Sequence, residues 1–158
     1  MIAWVGIGAN LGDARANVLD ALERLAALPG VHLLRASSLY RSAPIDSSGD
    51  DYVNAVAEVD TGLDAHALLA QLHGIEQAHG RERPYRNAPR TLDLDLLLAG
   101  DAVIADAPAL VVPHPRMHER AFVLAPLAEL APGLSIPGRG RVAELLPFVA
   151  DQAIERLN

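Results

Sequence analysis

Thr91-Leu92-Asp93-Leu94-Asp95-Leu96-Leu97-Leu98 is the stretch of this 158-residue sequence that decides its fold. Leucines at positions 92, 94, 96 and 98 alternate with Thr91, Asp93, Asp95 and Leu97, a pattern that predicts a strand with one buried face. Tyr52–Thr61 alternates in the same way, interrupted at Val56, and predicts a second half-buried strand. Two such strands predict a sheet with one face packed on a hydrophobic core.

The segments around these two strands predict an α+β domain. One predicted helix follows the capping residue Asp13 and ends at Pro29-Gly30, and another spans Asp64–His79. With further predicted strands at Ile2–Gly8 and Val31–Tyr40, the element order is β-α-β-β-α-β. This order is typical of a ferredoxin-like fold, which has a mainly antiparallel sheet with helices on one face.

Beyond the fourth strand, we expect an extra hairpin and C-terminal helices. Gly100-Asp101 predicts the hairpin turn, which leads into a strand at Ala102–Ile104. Glu119–Leu130 predicts a helix broken at Pro126, and the tail of the chain is also predicted to be helical. Because the sequence has no repeat, low-complexity tract or linker, residues 1–158 are predicted to form a single domain.

The basic residues are of one kind. All 13 are arginine, because the sequence contains no lysine, and it contains no cysteine either. The lack of cysteine excludes disulfides, thiolate nucleophiles and cysteine-ligated metals. The lack of lysine excludes Schiff-base chemistry and the lysine-dependent phosphate loop. Every permanent cation is therefore a guanidinium, whose planar fork suits phosphate and carboxylate oxygens.

Charge and hydropathy exclude several classes of partner. The formal net charge of −7 argues against general nucleic-acid binding, which needs a basic face. The chain is 51% hydrophobic, but no apolar run approaches the roughly 18 residues of a membrane helix. The N-terminus lacks the basic segment of a secretion signal. We therefore expect a cytoplasmic protein with no nucleic-acid or membrane partner.

Asp93 and Asp95 are the first candidates for chemistry. Residues two apart on a strand share one face, with their Cβ atoms roughly 6–7 Å apart, so both carboxylates can reach one cation or a pair of cations. Carboxylate oxygens favour Mg²⁺, which completes its coordination shell with phosphate and water. For these two residues alone, the solvated polar face of an edge strand is the alternative interpretation.

A cluster of arginines precedes this strand. Acids beside guanidinium groups suit a Mg²⁺–polyphosphate ligand, with the metal on one side and bidentate donors on the other. The alternative, a solvated charge run, is weaker because the acids and the arginines lie on different elements, with Glu82 as the only acid inside the cluster. The four arginines are Arg81, Arg83, Arg86 and Arg90.

Tyr52 and Asn54 are candidates for binding a heterocycle. They share one face of their strand, and an aromatic ring beside an amide suits a flat, nitrogen-rich ring system. A contact at the rim of the sheet is the alternative for this pair.

His114 and His118 have the spacing of two metal ligands on one helix. Pro115 argues against a continuous helix and no third ligand is evident, so zinc is disfavoured. Together with Arg116 and Arg120, His114 is better interpreted as part of a phosphate-facing surface.

Several weaker motifs are interpreted as structural. Gly6-x-Gly8 lacks the third glycine of a dinucleotide-binding fingerprint. Ser37-Ser38 has no positioned base beside it. The histidines of the second predicted helix are interpreted as structural or exposed; they are His66, His73 and His79.

In chain order, these segments resemble the 6-hydroxymethyl-7,8-dihydropterin pyrophosphokinase family of the folate pathway. The most specific match is Pro89–Asp95 followed by His114–Phe122, and the resemblance extends from near the N-terminus to about residue 135. The other matching stretches are Gly8–Gly12, Ser38–Pro44, Asp51–Ala55, Ile75-Glu76 and Gly80–Arg83.

The resemblance implies transfer of the β,γ-pyrophosphoryl unit of ATP to the pterin hydroxymethyl group, with release of AMP. Asp93 and Asp95 would hold two Mg²⁺ ions, and Arg81 and Arg90 would neutralise charge on the transferred group. We expect a monomer whose partners are these two small molecules. The implied pterin-binding residues are Ala43, Pro44, Ile45, Tyr52, Asn54 and Phe122, and the implied ATP-binding residues are Glu76, Arg83, His114 and Arg120.

The sequence departs from the family pattern at several positions. Ala9 stands where the glycine loop usually has serine, and Asn87-Ala88 replaces an aromatic–glycine pair of some members. Ala109 and Val111 stand where some relatives have arginine and threonine, which predicts an altered ATP affinity. Two alternatives remain open: a non-catalytic ligand-binding module on the same scaffold, and a nucleotidyltransferase that releases pyrophosphate.

Overall fold

The computed structural model describes residues 1–10, 12–43, 51–80 and 92–157. None of the helices within these ranges has the length and hydrophobicity needed to cross a bilayer. The strands are β1 (Ile2–Ala9), β2 (Val31–Ala36), β3 (Tyr40–Ser42), β4 (Tyr52–Thr61), β5 (Asp93–Ala99), β6 (Ile104–Asp106), β7 (Leu110–Val112), β8 (Ser135–Ile136), β9 (Gly140–Arg141) and β10 (Ile154–Arg156). The helices are α1 (Ala14–Ala26), α2 (Ala65–Gly80), α3 (Ala121–Leu130) and α4 (Val142–Leu145), with 3₁₀ turns at Met117–Glu119 and Leu146–Val149.

The main sheet has the strand order β10-β3-β4-β1-β5, and β2 also pairs with β4. Every neighbouring pair in this sheet is antiparallel. Helix α1 carries the chain from β1 past β4 to β2, and α2 carries it from β4 past β1 to β5. These two crossovers confirm the predicted ferredoxin-like arrangement.

One face of the sheet forms the main hydrophobic core against α1 and α2. Helix α1 begins after Asp13, as predicted, because the Asp13 carboxylate accepts a hydrogen bond from the Ala16 N–H over 3.1 Å. The alternation predicted for β4 is confirmed on this face, and that of β5 is confirmed up to Leu96. Its buried residues include Val5, Ile7, Val53, Ala55, Ala57, Val59, Leu94 and Leu96 from the strands, and Val18, Leu25, Leu68 and Leu72 from the helices.

The second face of the sheet is covered by α3 and the C-terminal segments over only part of its area. Trp4 and Val56 lie in a second hydrophobic cluster on this face. Val56, which interrupts the alternation of β4, is therefore a core residue. A bulge between β1 and β5 places both Leu97 and Leu98 in the same cluster. Tyr52 and Asn54 of β4, and Asp93 and Asp95 of β5, lie on the uncovered part of this face.

The strand predicted at Val31–Tyr40 is divided into β2 and β3. At the break, the Ser37 hydroxyl accepts a hydrogen bond from the Val56 N–H over 2.9 Å, and the Ser38 N–H donates to the Glu129 carboxylate over 3.0 Å. Side chains therefore satisfy backbone groups that a continuous ladder would have paired. This is the structural role of Ser37-Ser38.

The prediction that β5 forms a hairpin with the segment after Gly100-Asp101 is wrong. The turn forms, but β6 pairs with β7 instead of returning along β5. The outer edge of β5 already has partners, because the Leu94 N–H donates to Glu76 and the Leu97 carbonyl accepts from the His114 N–H. The hairpin that follows β5 is therefore β6–β7.

Two predictions for the C-terminal third also need correction. Helix α3 is continuous through Pro126, because burial of its apolar side chains offsets the lost hydrogen bond, which costs about 3 kcal/mol. The tail is helical in α4 and at Leu146–Val149, but it ends in the strand β10, which pairs with β3. Three residues are too short for a periodic pattern to reveal a strand.

Candidate active site

Two glycines of β1, an interior strand that lies between β4 and β5, form the floor of the uncovered face. In the register of the sheet, Gly8 lies opposite Asn54 of β4 on one side and Asp93 of β5 on the other. Gly6 lies opposite Asp95. Because residues paired across strands share one face, the Asn54 amide and the two carboxylates face one another across a strip of backbone without side chains.

A cleft of about 320 Å³ lies above these glycines, a volume within the range of small-molecule sites. Gly6, Gly8 and Ser42 also line it, although no site role was predicted for them. Glycines at alternate positions inside a strand are a signal of close backbone approach, and Gly6-x-Gly8 carries that signal. The predicted site residues that line the cleft are Ala43, Tyr52, Asn54, Asp93, Asp95, Arg120 and Phe122.

The Asn54 side chain is buried and its orientation is set by its neighbours. The buried Ser42 hydroxyl donates to Oδ1 of Asn54 over 2.7 Å. On the other side, a Cβ atom built on Gly8 would lie 3.1 Å from Nδ2 of Asn54. The Asn54 NH₂ group therefore faces the strip above Gly8, where it can donate to a ligand.

Asp93 and Asp95 are both half-buried and point into the cleft, as their spacing predicts. Leu94 between them points into the main core, and its N–H donates to Oε2 of Glu76 over 2.9 Å. Within the described ranges, no group of three or more His, Cys, Asp or Glu side chains could hold a metal. A carboxylate pair fits Mg²⁺, which takes one or two protein carboxylates and fills its shell with phosphate and water.

A second cavity, of about 280 Å³, lies on the other side of Asp95. Glu76 and His114, both implied in ATP binding, line this cavity together with His73. Ala109 and Val111, two of the departures from the family pattern, line it as well. Asp95 therefore borders both cavities.

His114 is partly buried in a charged environment. Burial lowers the pKa of His114 below its ordinary value; the Asp95 carboxylate opposes this shift, and the guanidinium groups of Arg120 and Arg116 add to it. Nδ1 of His114 accepts from the Arg116 N–H over 3.1 Å, so Nε2 carries the proton of the neutral ring. His118 lies in the following 3₁₀ turn, so the two histidines are not ligands on one helix.

Arg120 and Phe122 enter the cleft from the start of α3. The Arg120 guanidinium lies over the Phe122 ring, 5.4 Å from its centroid, within the range of a cation–π contact. The wall of the cleft opposite the sheet therefore carries a guanidinium group and an aromatic ring, both of which can contact a ligand. The other predicted site residues, namely Pro44, Ile45, Arg81, Arg83 and Arg90, lie outside the described residues, as do Arg86 and Asn87-Ala88.

The fold and the cleft define an α+β protein with an open cleft on one face of a ferredoxin-like sheet. The chain belongs to the 7,8-dihydro-6-hydroxymethylpterin-pyrophosphokinase (HPPK) family, whose model matches residues 4–132. The predicted family is therefore confirmed, and members of this family are ATP-dependent pyrophosphokinases of folate biosynthesis.

Relatives match over nearly the whole chain. The 2-amino-4-hydroxy-6-hydroxymethyldihydropteridine pyrophosphokinase of Pseudomonas aeruginosa is 44% identical over 155 residues, which cover 98% of this chain and 95% of the relative. The enzyme of the same name from Methylorubrum extorquens is 43% identical, with 98% of each chain covered. A crystal structure of Plasmodium falciparum HPPK-DHPS is similar in fold, with a TM-score of 0.76 at 15% identity, and the match covers 92% of this chain and 44% of that one.

Proposed function

We propose that this protein catalyses Mg²⁺-dependent transfer of the β,γ-pyrophosphoryl unit of ATP to 6-hydroxymethyl-7,8-dihydropterin. In this reaction the hydroxyl oxygen bonds to the β-phosphorus, the bond from that phosphorus to the α,β-bridging oxygen breaks, the hydroxyl proton is released and AMP leaves. One observation carries the proposal: Asn54 and the Asp93–Asp95 pair face each other across Gly8 in a single cleft.

The Asn54 side of the cleft suits the pterin. The NH₂ group of Asn54 donates toward the strip above Gly8, and Tyr52 and Phe122 offer aromatic faces to a flat ring. Ala43 lies on the same side, and we assign Pro44 and Ile45 to this subsite from the family resemblance. A ring held here directs its hydroxymethyl arm toward the carboxylate side.

The carboxylate side suits the phosphates. We assign two Mg²⁺ ions to Asp93 and Asp95; when bound, they would neutralise phosphate charge and orient the transferred group. Arg120 adds a guanidinium from α3. From the resemblance, Arg81 and Arg90 would stabilise the charge that develops on the transferred group.

The second cavity suits the nucleotide. Because Asp95 borders both cavities, a nucleotide bound in the second cavity extends its phosphates toward the pterin. His114 would donate from Nε2, and Glu76, Arg83 and Arg120 complete the assigned ATP-binding residues. Ala109 and Val111 present short apolar side chains to this cavity, which supports an altered ATP affinity.

Product identification tests the proposal. The protein is incubated with ATP and the dihydropterin alcohol, with Mg²⁺ or with excess EDTA, and the nucleotides are separated by chromatography. We expect AMP to accumulate in step with consumption of the pterin, and only when Mg²⁺ is present. ADP or pyrophosphate as the product, or undiminished turnover in EDTA, would contradict the proposal.

A further inference from the structure

The side chain of Gln152 bridges the two residues that flank Arg120. Oε1 of Gln152 accepts a hydrogen bond from the Ala121 N–H over 2.9 Å. Nε2 of Gln152 donates to the Glu119 carbonyl over 2.7 Å. One amide group thus holds the backbone on both sides of Arg120, from a position about thirty residues further along the chain.

The backbone at Arg120 needs such support. Arg120 is extended (φ −122°, ψ 116°) between the 3₁₀ turn Met117–Glu119 and α3, and no side chain adjacent in sequence caps the helix. The Ala121 N–H is one of the first N–H groups of α3, which have no partner within the helix. Gln152 supplies that partner, and it also binds the last carbonyl of the 3₁₀ turn.

The same C-terminal segment also contacts the opposite wall of the cleft. Ile154, two residues after Gln152, pairs with Ser42 where β10 lies along β3. Ser42 in turn donates to Oδ1 of Asn54. Residues 152–154 therefore connect the Arg120 wall to the Ser42 wall.

We propose that Gln152 is a positioning residue of the active site, which fixes the directions in which Arg120 and Phe122 enter the cleft. Gln152 lines neither the cleft nor the second cavity, and it lies beyond the residues 4–132 that match the family. This inference rests on the proposed function, because the proposed function assigns the ATP phosphates to Arg120 and the pterin to Phe122.

Two variants and a double-mutant cycle test this role. Q152L keeps the size of the side chain but removes both hydrogen bonds, whereas D151A changes the exposed neighbouring residue and serves as the matched control. Calorimetry measures the dissociation constants of a non-hydrolysable ATP analogue and of the dihydropterin alcohol. We expect Q152L to weaken binding on the order of tenfold, from the loss of two neutral hydrogen bonds, and D151A to bind as the wild type does.

The cycle separates positioning from a general loss of stability. If Gln152 acts through Arg120 and Phe122, Q152L weakens binding no further in an R120A/F122A background. The same loss in both backgrounds, or an equal loss in D151A, would overturn the proposal.

A measurement without ligand distinguishes failure of this inference from failure of the proposed function. Hydrogen exchange at the Ala121 amide should be faster in Q152L than in D151A, because its acceptor is gone. If the wild type does not transfer pyrophosphate, the proposed function fails while faster exchange still supports the role of Gln152 at Arg120. Unchanged exchange at Ala121 overturns that role whatever the activity.

Discussion

Replacing Gly8 with alanine tests whether the backbone of β1 at Gly8, which carries no side chain, is the floor of the proposed pterin subsite. The added Cβ would lie 3.1 Å from Nδ2 of Asn54 and 3.9 Å from Cδ1 of Tyr52. The first distance is closer than ordinary van der Waals contact, so the Asn54 amide must shift by a few tenths of an ångström. Ser42 holds that amide from the other side, so the shift disturbs the hydrogen bond to Oδ1 as well.

The magnitude follows from overpacking. Forcing an extra carbon into a packed site costs about 1–3 kcal/mol, which corresponds to about a 5- to 140-fold rise in the KM for the pterin if the cost falls on binding. Folding is affected less, because alanine gains about 0.5–1 kcal/mol over glycine within a strand. We therefore expect G8A to raise the pterin KM strongly, to leave the ATP KM nearly unchanged, and to shift Tm by a few degrees at most.

G6A is the matched control, because it adds the same carbon to the same strand and the same face. Its Cβ would lie 3.4 Å from Cδ1 of Leu97, a flexible side chain that can adjust. We expect the pterin KM of G6A to stay within about threefold of the wild-type value. Steady-state kinetics with the pterin varied at saturating ATP measures both variants. Equal pterin KM values for G8A and the wild type, or a larger rise in G6A, would refute the reasoning.

Three further predictions concern the carboxylates and the buried tyrosine. D95N should lower turnover by about 10³-fold with an unchanged circular dichroism spectrum, because a metal ligand is lost; the exposed turn variant D101N should keep wild-type activity, and a similar loss in both would argue against a metal role. E76A should speed hydrogen exchange at the Leu94 amide and raise the ATP KM, and slow exchange at Leu94 in E76A would contradict the contact. Burial, and to a lesser extent the hydrogen bond to the Glu129 carboxylate, raise the pKa of Tyr40 from 10.0 to about 12. The contribution of the protonated Tyr40 to folding stability is therefore present below pH 10 and is lost as the pH rises to 12. The phenolate absorbance difference between the wild type and Y40F should therefore have a midpoint near 12, and a midpoint near 10 would contradict the assignment.

Local periodicity predicts the parts of the fold that depend on one segment at a time. The shared face of Asp93 and Asp95 follows from the two-residue period of a strand, and the same period places Tyr52 beside Asn54. The register of the sheet then brings the two pairs onto one surface. That step depends on the register between three strands, which neither segment predicts alone.

Other features depend on contacts between distant segments and have no local signal. Val56 breaks the alternation of β4, and the break is explained by the packing of α3 on the second face. The separation of β2 from β3 depends on Glu129, which binds Ser38 from α3. Sequence periodicity cannot reveal either contact, because each is made by residues far apart in the chain.

The position of β1 between β4 and β5 explains why the proposed site lies at its glycines. A strand with neighbours on both sides keeps a fixed separation from each, about 4.8 Å, so Asn54 and Asp93 are held two strand spacings apart by backbone hydrogen bonds. Side chains on β1 would fill that space, and Gly8 leaves it open. The distance between the proposed pterin and metal subsites is therefore set by the sheet itself. A shift of one residue in the register between β1 and β4 would turn Asn54 into the core, so the same ladder that stabilises the fold also aligns the two proposed substrates.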